Sequence, residues 1–454
     1  MRIAVAQTPG TRLEQWRETL TLIEGVVSRA ASLRAELVVL PECVWPAYVL
    51  GSKSAYRAAR DTGLPDHEVF LEGLRRQARR CQIAICAGYV EETPGGLANA
   101  ACFIDSGGTL LGVHRKCFLW DFDHACFEAG VDIKPIDAGS GRVGLMICAD
   151  ARLPEIPATL AARGANLIVQ PTGWVNTGAP DQLRNPQPEF LISARAREFG
   201  IPIASASKWG VEGTTTFVGS SLICDAEGNT LVRCGPEETT VVAADVEWTA
   251  PRPPCLAERQ REILLATRAL ANPAGPAPSA SLLLLPACAN PAQLDARRQQ
   301  IRERYVQCAI CVSRAAGRAN VHVVNHLHLS GPAEEAFELG AARVAAVSDA
   351  DARGFAPIRC HALCGVHLVV VFGDDVADVL VRARACENRI FVVWARAAGA
   401  SVIDPHGQVV VENAWPRTLA GVSEITLDLS AAVDKCVTQG TDVIAGRRPA
   451  QYVF

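Results

Sequence analysis

The sequence lacks a surplus of positive charge, any long apolar run and, through most of its second half, lysine. With 44 basic against 48 acidic residues the formal net charge is -4, so the chain offers no electrostatic footprint for a polyanion and nucleic acid is excluded as an expected partner. No uninterrupted apolar stretch approaches the roughly 18 residues that a membrane helix requires, so no membrane partner is expected. The opening "MRIAVAQTPG" carries one basic residue and a short apolar run, without the apolar core and small-residue cleavage site of a secretory signal. A cytoplasmic protein is the expectation. After Lys208 the only lysine is Lys435, so chemistry that needs an ammonium group has to be sought in the first half.

What the chain has in quantity is cysteine. The 17 cysteines are an odd number, and most sit inside apolar runs such as "QIAICAG", "NAACFID" and "SLICDAEG". Disulfide staples are therefore not expected, and a cysteine taken at random reads as a small core residue. A hydrophobic fraction of 49% with 20% charged residues is the profile of a globular protein. At 454 residues the chain exceeds the roughly 250 to 300 that one core supports, which argues for two domains.

In the first half, short apolar strands alternate with helix-length amphipathic stretches, the pattern of an α/β protein in layers. Strand-like "RIAVAQ" precedes helical "LEQWRETLTLIEGVVSRAASLRA"; "ELVVLPEC", "IAICAGYVEE", "NAACFID", "TLLGVHRK" and "GRVGLMICAD" read as further strands. Residues 1–255 form one expected domain. Residues 256–281, a helix followed by the Pro- and Ala-rich "ANPAGPAPSAS", form a linker, and 282–454 a second domain. The halves share a weak repeat in fixed order: "VVLPEC" with "LLLPAC", "QIAICAG" with "QCAICVS", "GRVGLMICADA" with "GVHLVVVFGDD", and "SARAREFGIPI" with "VRARACENRIF". That matching sets Ala287 opposite Glu42 and Phe372 opposite Cys148. The second domain is expected to be a shortened copy without the chemistry of the first.

Three strand ends in the first half finish in reactive groups: Glu42 after "VVLP", Lys116 in "VHRK" and Cys148 after "GLMI". Covalent acyl transfer from an amide needs a nucleophile, a base that later protonates the leaving amine, and a cation facing the oxyanion. A thiol with an ordinary pKa near 8.5 needs such neighbours to react at neutral pH. In layered α/β proteins strand ends of this kind converge at one sheet edge. A metal reading is weaker. Cys308 and Cys311, Cys360, His361 and Cys364, and His326 and His328 have ligand-like spacings, but "VQCAICVS" reads as a buried strand rather than a zinc knuckle.

On the segments "VVLPEC", "HRKCFLWDFDHACFEAG" and "ICADARLPE", in that order, the first half resembles the nitrilase superfamily of carbon-nitrogen hydrolases. The resemblance implies a four-layer αββα sandwich, here as a tandem pseudo-dimer of one active and one degenerate domain, with a further homo-oligomer possible. It implies Cys148 as nucleophile, Glu42 as general base and acid, and Lys116 as oxyanion stabiliser, helped by the backbone N–H of Ala149. No cofactor or metal is implied, and the partner is a small amide, ureido or carbamoyl compound. The family's second glutamate falls at Asp123, one methylene shorter, with Glu128 as the alternative. Relatives that hydrolyse nitriles tend to carry Trp-Glu after the nucleophile, whereas Ala149, Asp150, Arg152, Pro154 and Glu155 match the amide-hydrolysing pattern. Trp120, Asp150, Arg152, Glu155 and Trp174 are expected to line the pocket. Arg184 and Arg195 read as solvated, with a grip on a substrate carboxylate as the alternative.

Overall fold

The computed structural model describes residues 1–266, 279–284, 309–315, 318–324, 328–330, 336–339, 342–396, 399–414 and 423–454. Ala287, Cys308 and His326 lie outside the described residues. Two compact units emerge, the first comprising Met1–Cys255, Thr438–Thr441 and Gly446–Phe454, the second Leu256–Val437 and Asp442–Ala445. The end of the chain thus belongs to the first unit, where the sequence pattern set all of 282–454 in a second domain. The reason lies in hydrogen bonds and an ion pair that these last residues make, described below.

The first unit opens with β1 (Arg2–Pro9), α1 (Trp16–Ser32), β2 (Leu37–Val39), α2 (Lys53–Asp61) and α3 (His67–Cys81), then β3 (Ala84–Thr93), β4 (Gly96–Ile104) and β5 (Leu110–Arg115). It continues through α4 (Asp123–Cys126), β6 (Ile136–Asp137), β7 (Arg142–Leu145), α5 (Glu155–Ala162), β8 (Leu167–Pro171), α6 (Ile192–Phe199) and β9 (Ile203–Ala206). Strands β10 (Lys208–Glu212), β11 (Thr215–Val218), β12 (Leu222–Cys224), β13 (Thr230–Arg233) and β14 (Thr240–Asp245) complete it. One sheet runs β11-β10-β1-β2-β3-β4-β5, with β14 also paired to β1; the other runs β13-β12-β9-β8-β7-β6. The two pack face to face through β1, β2 and β3 against β8 and β9.

Strands β1, β2 and β3 pair in parallel, and parallel strands are stable only when both faces are covered. That explains why they read as continuous apolar runs rather than alternations. Helices α1 and α3 cover the outer face of the first sheet. In α1, Ile23, Val26, Val27 and Ala30 are buried at helical spacing. In α3, Phe70, Leu71, Leu74 and Ala78 do the same, Asp66 caps the start by accepting from Glu68 N, and Gln82 in a left-handed conformation ends it. Helices α5 and α6 belong to the second sheet's outer layer, giving an αββα order.

The site is positioned by strand ends. β2 and β5 of one sheet and β7 and β8 of the other stop just before Glu42, Lys116, Cys148 and Gly173. Glu42 N donates to Thr172 O at 3.3 Å across the sheets. At Gly88 in β3 a Cβ would lie 2.6 Å from Pro41 O, Glu42 Cα and Cys43 N, so only glycine lets the Glu42 turn approach the strand this closely.

The second unit repeats the strand plan. Strands β15 (Ser279–Leu284), β16 (Ala309–Ala315), β17 (Arg318–Val324) and β18 (His328–Ser330) form a sheet with β25 (Ser423–Asp428). Strands β19 (Phe337–Leu339), β20 (Ala342–Ser348), β21 (Leu368–Phe372), β22 (Phe391–Ala395), β23 (Gly399–Ile403) and β24 (Val409–Ala414) form another. The latter follows β6-β7-β8-β9-β12-β13 strand for strand, with antiparallel pairs at both ends and two parallel steps between.

The side chains repeat as well. Arg195 Nε donates to Ala151 O and its Nη2 to Arg152 O, while Nη1 pairs with Glu198. Arg384 Nε donates to Ala352 O and its Nη2 to Arg353 O, while Nη1 pairs with Glu387 at 2.6 Å. This equivalence corrects the sequence matching. The partner of β7 is β20, so the place of Cys148 is taken by Asp349, just past β20; Phe372 ends β21, the counterpart of β8. A run of valines in a buried strand resembles any other such run, and the short match slipped by one strand. It also removes Arg195 from the solvated arginines, because it is fully buried. Replacing Arg384 by Met is expected to destabilise the second unit by about 3–5 kcal/mol, since it breaks a buried ion pair from one side. Hydrogen exchange along residues 378–388 at rising urea checks this; an unchanged opening free energy would show that the pair contributes nothing.

Candidate active site

Glu42, Lys116 and Asp123 meet in one buried cluster. Lys116 Nζ donates to Glu42 Oε1 at 2.7 Å, to Asp123 Oδ2 at 2.7 Å and to Tyr48 Oη at 3.0 Å, and both ion pairs are fully buried. Burial pulls the Lys116 pKa down, but the charges of Asp123 and Glu42 more than offset it and hold the group well above its usual range as an ammonium. Glu42 Oε1 also accepts from Asn99 Nδ2 at 2.7 Å, and Oε2 from Gly173 N at 2.8 Å. Burial raises the Glu42 pKa above the usual carboxylate range, opposed by Lys116 and reinforced by Asp123.

Between the two acidic candidates the geometry separates the roles. Asp123 meets Lys116, and its Oδ2 also accepts from Trp120 N at 2.9 Å. Glu128 is exposed and its carboxylate lies over the turn at Gly95 and Gly96. The shorter side chain reaches Lys116 from the first residue of α4.

Cys148 sits at the start of a short helical turn, Cys148–Arg152, just past β7. Its φ of 43° lies in the left-handed region, a conformation that costs a cysteine on the order of 1–3 kcal/mol and persists only where the surroundings enforce it. The enforcing residue is Asp150. Its Oδ1 accepts from Cys117 N at 3.0 Å and Phe118 N at 2.8 Å, and its Oδ2 from Ile147 N at 2.9 Å, with His114 Nε2 also 3.0 Å away. One buried carboxylate therefore ties the end of β5, which carries Lys116, to the turn that carries Cys148. Asp150 is a fastener in the structure, not a wall of the pocket as the sequence pattern suggested.

Cys148 is 4% exposed. Burial pushes its pKa up to about 12, the Glu42 charge adds to this, and Lys116 together with hydrogen bonding from Thr172 and the Gly173 backbone offsets part of it. Its Sγ lies 3.7 Å from Gly173 O, the residue whose N–H is held by Glu42. Gln170 Nε2 donates to Cys148 O at 2.9 Å, and Ser205 Oγ holds the other end of that amide at 2.7 Å. A fixed carbonyl fixes the planar peptide after it, and with it the direction of the Ala149 N–H.

The remaining expected pocket residues divide. Trp174 follows Gly173 and is fully buried, and its Nε1 has no hydrogen-bond partner among the described residues. Trp120 is buried against the Arg152 guanidinium, 5.0 Å from its ring. Glu155 heads α5 and accepts from Arg447 Nε at 2.7 Å, so it faces the end of the chain and not the thiol. Arg184 is half-exposed and pairs with Glu189. Among the described residues no cluster of three metal-ligating side chains occurs, and no helix is long and apolar enough to cross a membrane.

Sequence reasoning missed Tyr48, Asn99, His114, Gln170 and Gly173. Asn99 left a signal, being the lone polar side chain inside "GLANAACFI". Gln170 in "LIVQP" left a similar one. Tyr48 and Gly173 left none, since a tyrosine in a Pro-containing loop and a glycine after a strand have many ordinary uses.

The comparisons with known proteins fall on this unit. A family model for carbon-nitrogen hydrolases matches residues 2–252. The omega-amidase NIT2 of Bos taurus is 30% identical over 262 residues, spanning 54% of this chain and 88% of that protein. The probable nitrilase C965.09 of Schizosaccharomyces pombe is 26% identical over 220 residues, spanning 48% of this chain and 77% of that protein. Among solved structures, an amidase from a Nesterenkonia species is 29% identical with a TM-score of 0.46, covering 54% of this chain and 89% of that one. The chain belongs to the carbon-nitrogen hydrolase family of the nitrilase superfamily.

Proposed function

We propose that this carbon-nitrogen hydrolase cleaves a small linear amide, ureido or carbamoyl compound through a thioester on Cys148. The observation that carries the reading is a thiol, a carboxylate of raised pKa and a buried ammonium joined through Glu42 and Gly173. Cys148 Sγ attacks the carbonyl carbon while Glu42 takes the thiol proton. The oxyanion formed faces the Lys116 ammonium and the Ala149 N–H, which act in a buried site of low polarity. Glu42 returns the proton to the departing nitrogen, the C–N bond breaks, and ammonia or an amine leaves. Water, deprotonated by Glu42, then attacks the thioester; collapse releases the carboxylic acid and restores the thiol. Asp123 keeps Lys116 charged through the cycle. The full burial of Glu42 and Lys116 supports a small acyl group. The second unit is a non-catalytic copy in this reading, because Asp349 stands in the nucleophile's place and no lysine accompanies it.

The reading makes Glu42→Gln lower kcat by about 10²–10⁴-fold, the usual share of a general base, and Cys148→Ala abolish ammonia release across an amide panel. Turnover by Cys148→Ala equal to wild type would sink the mechanism. In wild type, kcat/KM should rise with pH as Glu42 loses its proton, at a pH above the ordinary carboxylate value of 4.5. It should then stay level through the neutral range, because the thiol itself titrates near 12; a rise centred on pH 8 to 9 would mean that a free thiolate is the reacting species. Gly88→Ala pushes on the Glu42 turn and is expected to lower kcat by about 100-fold, the size of effect that a misplacement near 1 Å produces. Steady-state kinetics on the folded variant checks it, and wild-type kcat would refute the close-approach argument.

A further inference from the structure

The catalytic unit is not complete at residue 255; its last pieces, Thr438–Thr441 and Gly446–Phe454, come from the end of the chain. Each lands on a segment that holds a reacting group. Thr441 Oγ1 accepts from Asp121 N at 2.7 Å, and Thr438 Oγ1 donates to Asp121 Oδ2 at 3.2 Å. Asp121 lies in the turn that delivers Asp123 to Lys116. Gln451 Nε2 donates to Gly130 O at 3.4 Å, and Gly130 N donates to Lys116 O at 2.7 Å. Arg447 Nε donates to Glu155 Oε1 at 2.7 Å, with the side chains 4% and 0% exposed. One turn along α5, Val453 N donates to Thr159 Oγ1 at 3.1 Å.

We propose that residues 438–441 and 446–454 form a strap that sets the catalytic geometry, with Arg447 a positioning residue that acts through Glu155 on the Cys148 turn. Glu155 begins α5 immediately after that turn, so where its carboxylate is anchored decides how α5 meets Cys148–Arg152. A buried carboxylate is held in place by the cation that accompanies it, and a guanidinium does this directionally. The strained φ at Cys148 has to be enforced from both sides of the turn. Asp150 enforces it from the β5 side, and the Glu155–Arg447 pair closes the other. The proposal rests on Cys148 being the nucleophile.

The test uses the full chain with Arg447→Met, Arg447→Lys and Thr441→Val, and Arg57→Met, an exposed arginine of α2 outside the strap, as control. Two readouts run in parallel: kcat and KM for ammonia release, and the rate of Cys148 alkylation by iodoacetamide against pH, with the exposed Cys255 as internal reference. Arg447→Met is expected to lower kcat by about 100-fold with KM within about twofold. It should also displace the Cys148 alkylation profile while Cys255 is unchanged. Arg447→Lys should recover most of both, and Arg57→Met should behave as wild type. If Arg447→Met does not fold, Thr441→Val decides, with a lowered kcat at unchanged KM expected. Wild-type kcat and Cys148 alkylation per folded molecule in Arg447→Met, or in Thr441→Val where that variant decides, overturn the strap. If wild type itself releases no ammonia from any amide, the proposed function fails on its own, and the alkylation profiles alone judge the strap.

Discussion

Everything at this site depends on one ammonium group shared between two fully buried carboxylates. Lys116 lies fully buried between Glu42 and Asp123, a cluster that carries one net negative charge. Taking each such ion out of water costs several kcal/mol, which mutual attraction recovers only when geometry and hydrogen bonds are complete. The cluster meets most of that demand: Asn99 and Gly173 N donate to Glu42, Trp120 N donates to Asp123 and Tyr48 Oη accepts from Lys116, while Asp123 Oδ1 is left without a partner among the described residues. These partners come from β4 and from the loops that follow β2, β5 and β8. The αββα layers are therefore what lets the ions exist together, and the ions in turn fix where β2, β5 and β8 must end.

Cys148 is held by the same logic at one remove. A cysteine with positive φ is unstable alone, and Asp150 stabilises it by accepting from three backbone N–H groups on two segments. Burial raises the thiol and keeps it protonated at neutral pH, so under the proposed mechanism its activation falls to Glu42. A neutral thiol beside a carboxylate adds no second negative charge to the buried site, and in the proposed mechanism its proton moves only when a carbonyl accepts the sulfur's electrons.

Much of this was legible in the sequence, and the illegible part has a physical cause. Glu42, Lys116 and Cys148 could be picked out because polar groups at the ends of apolar strands are rare, and three in order are rarer. Asp123 could be chosen over Glu128 by counting, and the structure brings it to Lys116. Asp150, Arg152 and Glu155 were legible as a motif but not as parts: sequence spacing tells that they accompany the nucleophile, not whether they face the substrate, a backbone or another side chain. The slip that put Phe372 opposite Cys148 has the same origin. A strand such as "LVVVF" is specified by burial alone, so its identity within a sheet is carried by its neighbours, which a local match does not see.

The second unit shows which features belong to the fold and which to the reaction. The arginine that clamps the carbonyls of the turn after β7 has its equal after β20, with its own glutamate three residues on. That clamp stabilises the turn whether or not a thiol sits in it. What the second unit does not repeat is the thiol itself, replaced by Asp349, and an ammonium at the strand end. Its lysine, Lys435, donates to the carbonyls of Asn388 and Arg389 at a helix end, where burial and the neighbouring Arg389 and Arg359 pull its pKa down to about 7. An ammonium next to guanidinium groups is discouraged from carrying charge, the reverse of Lys116 between its carboxylates. The layered scaffold thus tolerates either environment; the reaction demands the one in which the surrounding charges keep the lysine a cation.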